Sequence, residues 1–230
     1  MKQKKNKSHD NKKIFSFFII SSSLLYIFTN VKTRNLFISF FFLQFGLSLY
    51  GQSLSLFLVT TFSYTTQNMG VLFVLISIVT IISMYIFQPF VTRYYKYYSQ
   101  VKISLILIFL LLVLYASYVN ITHNNMEEYR IVSLVTLLIL YVFAPFVMLG
   151  FTNLFANSVN RLDQGKIMGG SGQVSSIAVI TSGLLMGKLL VISYFLLLIM
   201  TVVSLMLSYI ILQSYLKYSF VNSDYKVDKK

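Results

Sequence analysis

Six long apolar runs without a charged side chain constrain this chain more than any other feature. They cover about residues 36–59, 70–91, 103–120, 131–156, 167–187 and 190–213. A helix that crosses the hydrocarbon core of a bilayer needs about 20 mostly apolar residues. One Asp, Lys or Arg at the centre of such a helix costs roughly 2.5–3.5 kcal/mol. The sequence therefore predicts an all-α integral membrane protein with six transmembrane helices.

The composition also indicates a lipid environment. The chain has 230 residues, of which 57% are hydrophobic and only 11% are charged. A soluble domain of this size carries about 25% charged residues. A chain this apolar would expose a large hydrophobic surface to water, so a bilayer is the solvent that the composition predicts.

The reactive side chains are too few and too scattered to predict an active site. The chain has no cysteine, and its two histidines, His9 and His123, lie in polar stretches. This excludes thiolate chemistry, disulfides and a histidine metal cluster. The acidic residues, which all lie between or outside the apolar runs, are Asp10, Glu127, Glu128, Asp163, Asp224 and Asp228. We therefore expect no enzymatic activity, no cofactor and no metal ion.

Lysine and arginine concentrate at the ends of the apolar runs. The net charge of +13 is a property shared with nucleic-acid-binding proteins, but no nucleic-acid-binding motif accompanies it. The lysines of residues 2–13 form an N-terminal cluster, and most other basic residues flank apolar runs. Loops beside an anionic membrane face have this pattern. We expect the lipid bilayer, and no nucleic acid, as the partner of these charges.

The same charges predict the orientation of the chain. If the short apolar run at 14–28 does not cross the membrane, all 19 lysines and arginines except Arg130 and Lys188 lie on one side. If it crosses, the charges divide almost evenly between the two sides. The positive-inside rule favours the first arrangement, with both termini in the cytoplasm and the plasma (inner) membrane as the location. The run at 14–28, which is nearly apolar enough to span, is then an interfacial helix.

Three segments follow from this topology. Residues 1–34 form a basic cytoplasmic tail that contains the interfacial helix, residues 35–215 form the transmembrane domain, and residues 216–230 form a basic cytoplasmic tail. We expect a very short connection at Gly187 and Lys188, which makes the last two helices an antiparallel hairpin.

Small residues recur along one face of the fifth helix. They follow steps of three, four and seven residues, and "GKIMG" and "GLLMG" are both small-xxx-small pairs. Such pairs let helix backbones approach closely in lipid. The residues for which we predict helix packing are Gly169, Gly172, Gly183 and Gly187.

The turn before the fifth helix resembles a motif of a known family. The fourth helix ends in "YVFAPFVMLGFTNLFANSV", and "NRLDQGKIMGGSGQVSSIAVITSGLLMG" follows. Asp163, Gln164 and Gly165 resemble the Asp/Glu-Gln-Gly turn between the tenth and eleventh helices of major facilitator superfamily transporters, in the drug-antiporter-like and sugar-transporter-like branches. The similarity covers about residues 32–215, although no proline accompanies Gly183.

The resemblance implies the C-terminal six-helix half of a transporter whose substrate site lies between two halves near the midplane. The chain would transport a small solute by alternating access and would need a partner half, either a second polypeptide or a second copy. The loop at 88–101 keeps Arg93 and Lys96 but lacks the Asp and Gly of the corresponding family loop. The alternatives are a non-transporting fragment of a split transporter gene, and a membrane scaffold or assembly protein.

Polar residues within the spans are the candidates for contact with a substrate. Gln44, Ser48 and Gln52 share one face of the first helix, because residues four apart lie on the same side. The resemblance places the first and fourth helices along the central cavity, and it adds Asn153 of the fourth helix and then Gln173 of the fifth. The six runs contain no ionisable Asp, Glu, His, Lys or Arg. Proton coupling would therefore need a carboxylate from the partner half.

The charged turn has two interpretations. The resemblance implies a cytoplasmic gate formed by Arg161, Asp163, Gln164 and Gly165, in which Asp163 accepts a hydrogen bond or ion pair from Arg161 or from Arg93. The alternative is a solvated turn that only caps the fifth helix.

Overall fold

The computed structural model describes residues 31–121 and 126–227, and these residues are almost entirely helical. Within these two ranges short turns separate the helices, and no strand occurs. The interfacial helix predicted at 14–28 lies outside the described residues.

Seven α-helices, numbered in chain order, make up the described chain. They are α1 (Val31–Phe62), α2 (Thr66–Ile82), α3 (Gln88–Tyr94), α4 (Tyr97–Ile121), α5 (Met126–Ser158), α6 (Gln164–Ile192) and α7 (Tyr194–Val227). A π-helical turn at Ser83–Phe87 joins α2 to α3, and a 3-10 turn at Arg161–Asp163 precedes α6.

Six helical segments are long and apolar enough to cross a membrane, which confirms the predicted number. They are Thr33–Phe62, Thr66–Tyr94, Tyr97–Val119, Glu127–Ser158, Arg161–Leu190 and Tyr194–Tyr215. Short connections make successive segments run in opposite directions. Arg93 and Arg161 therefore lie at one end of the helix bundle, and Arg130 and Lys188 lie at the other.

The boundary between the last two spans differs from the prediction. α6 continues through Gly187 and Lys188, and the break comes at Ser193, whose backbone is extended (φ −171°, ψ 134°). A glycine inside a helix costs only about 1 kcal/mol relative to alanine, so Gly187 alone does not end the helix. The last helix, α7, also continues to Val227, beyond residue 215.

The start of α5 and the end of α1 also have structures that the sequence did not predict. Glu127 and Glu128, placed in a loop by the sequence, lie in the first turn of α5, where the helix dipole favours carboxylates. α1 ends with Ser63 in the left-handed region (φ 52°), and the Tyr64 N–H donates to the Leu58 carbonyl at 3.3 Å. This hydrogen bond attaches the turn after α1 to the last turns of the helix.

α1 is the central helix of the bundle and packs most extensively against α7 and α6. Small residues meet along the α1–α7 contact. The Ser39 hydroxyl donates to the Ser208 carbonyl at 2.8 Å, and the Ser204 hydroxyl donates to the Phe42 carbonyl. A Cβ added to Gly46 would lie 3.2 Å from Ser204 Oγ. The two backbones therefore approach closely, as small residues permit in apolar surroundings.

α4 and α5 form a second closely packed pair. Gly150 of α5 faces the buried Val101 of α4, and a Cβ added at Gly150 would overlap Val101 Cγ2. Nearby, Gln100 Nε2 donates to Gln88 Oε1 at 3.0 Å and to the Phe146 carbonyl at 3.3 Å. These buried amide contacts join α3, α4 and α5.

The π-helical turn between α2 and α3 has a local cause. Pro89 has no N–H and cannot donate to the preceding helical turn. In the residue before it, the Gln88 N–H donates to the Ser83 carbonyl, five residues earlier. This five-residue spacing is the π-helical register. The Ser83 hydroxyl donates to the Val142 carbonyl of α5 at 2.6 Å. The irregular turn is therefore attached directly to α5.

Aromatic side chains join four helices at the end of the bundle that carries Arg130 and Lys188. Phe57 of α1 stacks on Tyr194 of α7, with ring centroids 4.3 Å apart, and contacts Tyr129 of α5 edge-to-face at 5.3 Å. The Tyr115 hydroxyl of α4 forms a hydrogen bond of 2.8 Å with the Ser133 hydroxyl of α5. Each aromatic pair, such as Phe57 with Tyr194, contributes about 0.5–1.5 kcal/mol of stability beyond that of its buried area.

We expect Gly150→Ala to destabilise the protein by about 1–3 kcal/mol, because the added methyl group overpacks the contact with Val101. Thermal unfolding of the detergent-solubilised protein would show this as a lower Tm. Gly169→Ala is the matched control, because no described atom beyond the helix's own neighbouring backbone lies within 4 Å of a Cβ at that glycine.

The control should keep or raise the Tm, since alanine favours a helix over glycine. Combining Gly150→Ala with Val101→Ala should recover part of the loss. An unchanged Tm for Gly150→Ala alone would contradict the close contact between α4 and α5.

Candidate functional site

A cavity of about 920 Å³ lies between α1, α2, α5 and α6. No described residue of α4 or α7 lines its wall, and none of the described residues that line it is charged. Its polar lining residues are Gln44, Ser48, Gln52, Ser55, Thr80 and Tyr141. Most of the remaining wall consists of Leu, Ile, Val, Met and Phe side chains. Small-molecule sites typically have this combination of apolar walls and a few polar groups.

The polar side of the cavity belongs to one face of α1. Gln44, Ser48 and Gln52 are spaced by four residues and all line the cavity, as does Ser55. The opposite face of α1 carries Gly46 and the other small residues that contact α7. α1 is therefore polar on its cavity face even though the helix as a whole is strongly apolar.

Gln44 is held by a weak acceptor. Its Nε2 lies 3.1 Å from the Sδ atom of Met148 in α5. A thioether sulfur accepts hydrogen bonds poorly compared with a carbonyl or hydroxyl oxygen. A solute that offers either oxygen would therefore compete well for the Gln44 amide.

Gln52 bridges α1 to α6. Its Nε2 donates to the Ser182 hydroxyl at 3.4 Å, which is a long hydrogen bond. Its Oε1 would lie 3.2 Å from a Cβ added at Gly183. The absence of a side chain at Gly183 leaves room for the Gln52 amide between the two helices.

The facing wall is apolar and contains an irregular helix position. Pro145 of α5 lines the cavity together with Tyr141 and Met148. A proline inside a helix removes the hydrogen bond to the carbonyl four residues earlier, which here is Tyr141. The hydrogen-bonding ladder of α5 is therefore interrupted at the depth of the cavity.

The predicted substrate contacts divide into two groups. Gln44 and Gln52 line the cavity, whereas Asn153 and Gln173 are not among its lining residues. Asn153 and Gln173 are both half-buried. Gln173 Oε1 is buried and has no hydrogen-bond partner within the described part of the chain. Thr80 and Tyr141 were not predicted, because an isolated Thr or Tyr in an apolar helix carries no distinguishing pattern.

The charged turn lies at the surface, at the end of the bundle that carries Arg93. Lys166 Nζ pairs with Asp163 Oδ1 at 2.9 Å, and Gln164 Nε2 donates to the Ala156 carbonyl at 3.1 Å. The Gln164 contact satisfies a carbonyl in the last turns of α5. Pairing of Asp163 with Arg161 or Arg93, and the gating role of the turn, stay predictions.

The glycine face of α6, defined as Gly165, Gly169, Gly172, Gly183 and Gly187, is open over most of its length. At 100° per residue these five positions lie on one side of the helix. Among these five, only Gly183 has a described atom beyond the neighbouring backbone of α6 within 4 Å of its Cβ position, and that atom belongs to Gln52. The packing predicted at Gly169, Gly172 and Gly187 is not made within the described chain. The open face continues from the edge of the cavity.

Among residues 31–121 and 126–227, no three His, Asp or Glu side chains come together as a metal site. The chain matches no protein-family model, and no curated protein is measurably similar to it.

We expect water-soluble maleimides to modify Ser48→Cys several times faster than Leu110→Cys. The chain has no native cysteine, so each variant carries a single thiol. Position 48 lines the cavity, whereas Leu110 lies half-exposed on the outer surface of α4. A thiol that faces hydrocarbon does not ionise and reacts poorly.

The measurement is the initial labelling rate in native membranes, normalised to the rate after denaturation. Equal rates for the two variants would contradict a water-accessible cavity at this site.

Proposed function

We propose that the chain is embedded in a membrane through its six apolar helices. The support is the outer surface of the bundle, which is covered with large apolar side chains. Val74, Leu114 and Leu184, on three different helices, are 58–72% exposed. Exposing apolar surface to water costs about 25 cal/mol per Å². A hydrocarbon solvent removes this cost.

The proposed orientation places both termini in the cytoplasm of a cell whose plasma (inner) membrane holds the protein. Arg93, Lys96, Arg161 and Lys166 lie at the end of the bundle where α1 begins and α7 ends. Positive charge is retained on the cytoplasmic side.

Single cysteines at opposite ends test this orientation. In intact cells, a membrane-impermeant maleimide should label Gln67→Cys at the exposed start of α2, and it should label Arg161→Cys only after lysis. The opposite pattern would show that the basic end faces outward. Labelling of both in intact cells would show that the segments do not form the proposed topology.

The function that the geometry supports best is secondary transport of a small solute by alternating access. The observation that carries it is the 920 Å³ cavity with the polar face of α1 as one wall. The absence of charge in this wall favours an uncharged solute with hydroxyl, carbonyl or amide groups. The apolar remainder of the wall would contact the carbon skeleton of such a solute.

The side of the cavity between α2 and α6 needs a cover, which we assign to a partner half. In the apolar part of the α2–α3 span and of the α6 span, only 17% of residues are buried. The corresponding share in the other four spans is 33–39%. Both poorly buried spans border the cavity. A second six-helix half, or a second copy of the chain, would cover α2 and the glycine face of α6. Rocking of the two halves about the cavity would expose it to each side in turn.

The source of driving force follows from the same wall. None of the described lining residues is an Asp, Glu, His, Lys or Arg that could exchange a proton near neutral pH or pair with an ion. The chain by itself therefore supports passive transport. Ion coupling would require an acidic residue from the partner half.

A transport assay with paired glutamine variants tests the proposal. Vesicles of the protein's native membrane, which would also contain a separate partner half, would be incubated with a mixture of sugars, polyols and amino-acid amides, and uptake would be measured by mass spectrometry. We expect uptake of at least one solute, and a fall of about tenfold for Gln44→Leu or Gln52→Leu, since each removes a hydrogen bond worth about 1–3 kcal/mol. Gln213→Leu, a half-buried glutamine of α7 outside the cavity, is the matched control.

Equal uptake by the cavity variants and the control would contradict a substrate role for the two glutamines. Uptake of no solute by correctly inserted protein would favour a non-transporting fragment, or a scaffold. The open glycine face of α6 is the observation that favours a scaffold. In that case Gly169→Leu should release a co-purifying membrane partner, while Gln44→Leu and Gln52→Leu remain silent.

A further inference from the structure

The stretch "TRYYKYY" at 92–98 surrounds a second concavity that the transport proposal does not use. This concavity has a volume of about 500 Å³ and lies at the turn between α3 and α4. Arg93 and Lys96 line it from the turn, and Asn157 lines it from the end of α5. Tyrosines 94, 95, 97 and 98 supply most of the remaining wall. Among the described lining residues there is no carboxylate.

We propose that this concavity binds a phosphate group, and that in the membrane this group is the headgroup phosphate of an anionic phospholipid. The proposal rests on the membrane embedding proposed above. Guanidinium and ammonium groups are the side chains that most often bind phosphate oxygens, the first in a bidentate fork and the second as a point charge. The Asn157 amide adds a neutral donor from a different helix.

The backbone contributes to the same end of the site. α4 begins at Tyr97 and has no acidic residue in its first turn. Its Gln100 N–H donates to the Lys96 carbonyl at 3.0 Å, so the N–H groups of residues 97–99 precede the first intrahelical hydrogen bond. The positive end of a 25-residue helix therefore adjoins the concavity, which Tyr97 and Tyr98 of its first turn line.

The concavity lies at a turn between two candidate membrane spans, which is where lipid headgroups are expected. The turn lies between the end of one candidate span at Tyr94 and the start of the next at Tyr97. Tyr94, Tyr95 and Tyr97 are 43–65% exposed, and tyrosine concentrates at the boundary between hydrocarbon and headgroups. Asp163, the acidic residue of the neighbouring turn, is ion-paired with Lys166. A lipid phosphate therefore meets cationic and hydroxyl groups at this boundary.

The test measures binding of phosphatidylglycerol, phosphatidylcholine and inorganic phosphate to the full chain in detergent, by native mass spectrometry at fixed ionic strength. We expect Arg93→Gln/Lys96→Gln to weaken phosphatidylglycerol binding by about 25-fold, because each basic residue near an anionic lipid contributes about fivefold. Arg130→Gln/Lys188→Gln removes the same charge at the opposite end of the bundle and should change binding less than twofold. Phosphatidylcholine binding should be equal in both double variants.

A second pair of variants keeps the test valid if the first does not fold. Asn157→Asp places a carboxylate in the wall of the concavity and should also weaken phosphatidylglycerol binding. Asn160→Asp adds the same charge at the nearby N-cap of the 3-10 turn, outside the concavity, and should not.

Each outcome decides the proposal. Loss of phosphatidylglycerol binding in the concavity variants alone supports a lipid headgroup site. The same pattern for inorganic phosphate, without phosphatidylglycerol binding, supports a phosphate site for a soluble ligand. Equal effects of the concavity variants and their controls overturn the site. Resistance of the chain to alkaline extraction from membranes is measured separately, so failure of membrane embedding is distinguishable from failure of the phosphate site.

Discussion

The close contact between α1 and α7 is the interaction on which the rest of the bundle depends. Apolar helices gain little from burying apolar surface when the surrounding solvent is itself apolar, so packing and hydrogen bonding must hold them together. Gly46 lets the backbones approach, and Ser39 and Ser204 donate to carbonyls of the facing helix. These contacts use one face of α1 and leave its other face to the cavity.

The two faces of α1 explain how a strongly apolar bundle contains a polar site. Gln44, Ser48 and Gln52 would be costly against lipid, because their amides and hydroxyls would lack partners. The surrounding helices shield them, with Met148 and Ser182 as neighbours. Residues of α1, α2 and α5, together with Met186 of α6, line the resulting site, which borders the open glycine face of α6. This geometry is the reason that a partner half is part of the proposed mechanism.

Much of the fold was predictable because the hydrophobic requirement for a spanning helix is local. Each apolar run meets it alone, which is why the number of helices long and apolar enough to span a membrane was predicted correctly. Helix ends were less predictable. Lys188 lies inside α6 and not in a connection, since a glycine and one terminal lysine do not prevent helical hydrogen bonding. Of the α6 glycines for which packing was predicted, only Gly183 is closely approached within the described chain, and the other close approaches occur at Gly46 and Gly150. A glycine pattern shows where another helix can approach closely, but it does not identify which helix packs there.

The sequence by itself determined the helical class, the six apolar spans, the asymmetry of basic charge and the polar face of α1. All of these depend on residue type and on the 3.6-residue period. Only the tertiary structure decided which side chains complete the cavity. It added Thr80 and Tyr141, left out Asn153 and Gln173, and brought Asn157 beside Arg93 and Lys96. The physical reason is that the rotation of each helix about its axis is set by side-chain packing between segments far apart in the chain, and a local pattern does not contain that information.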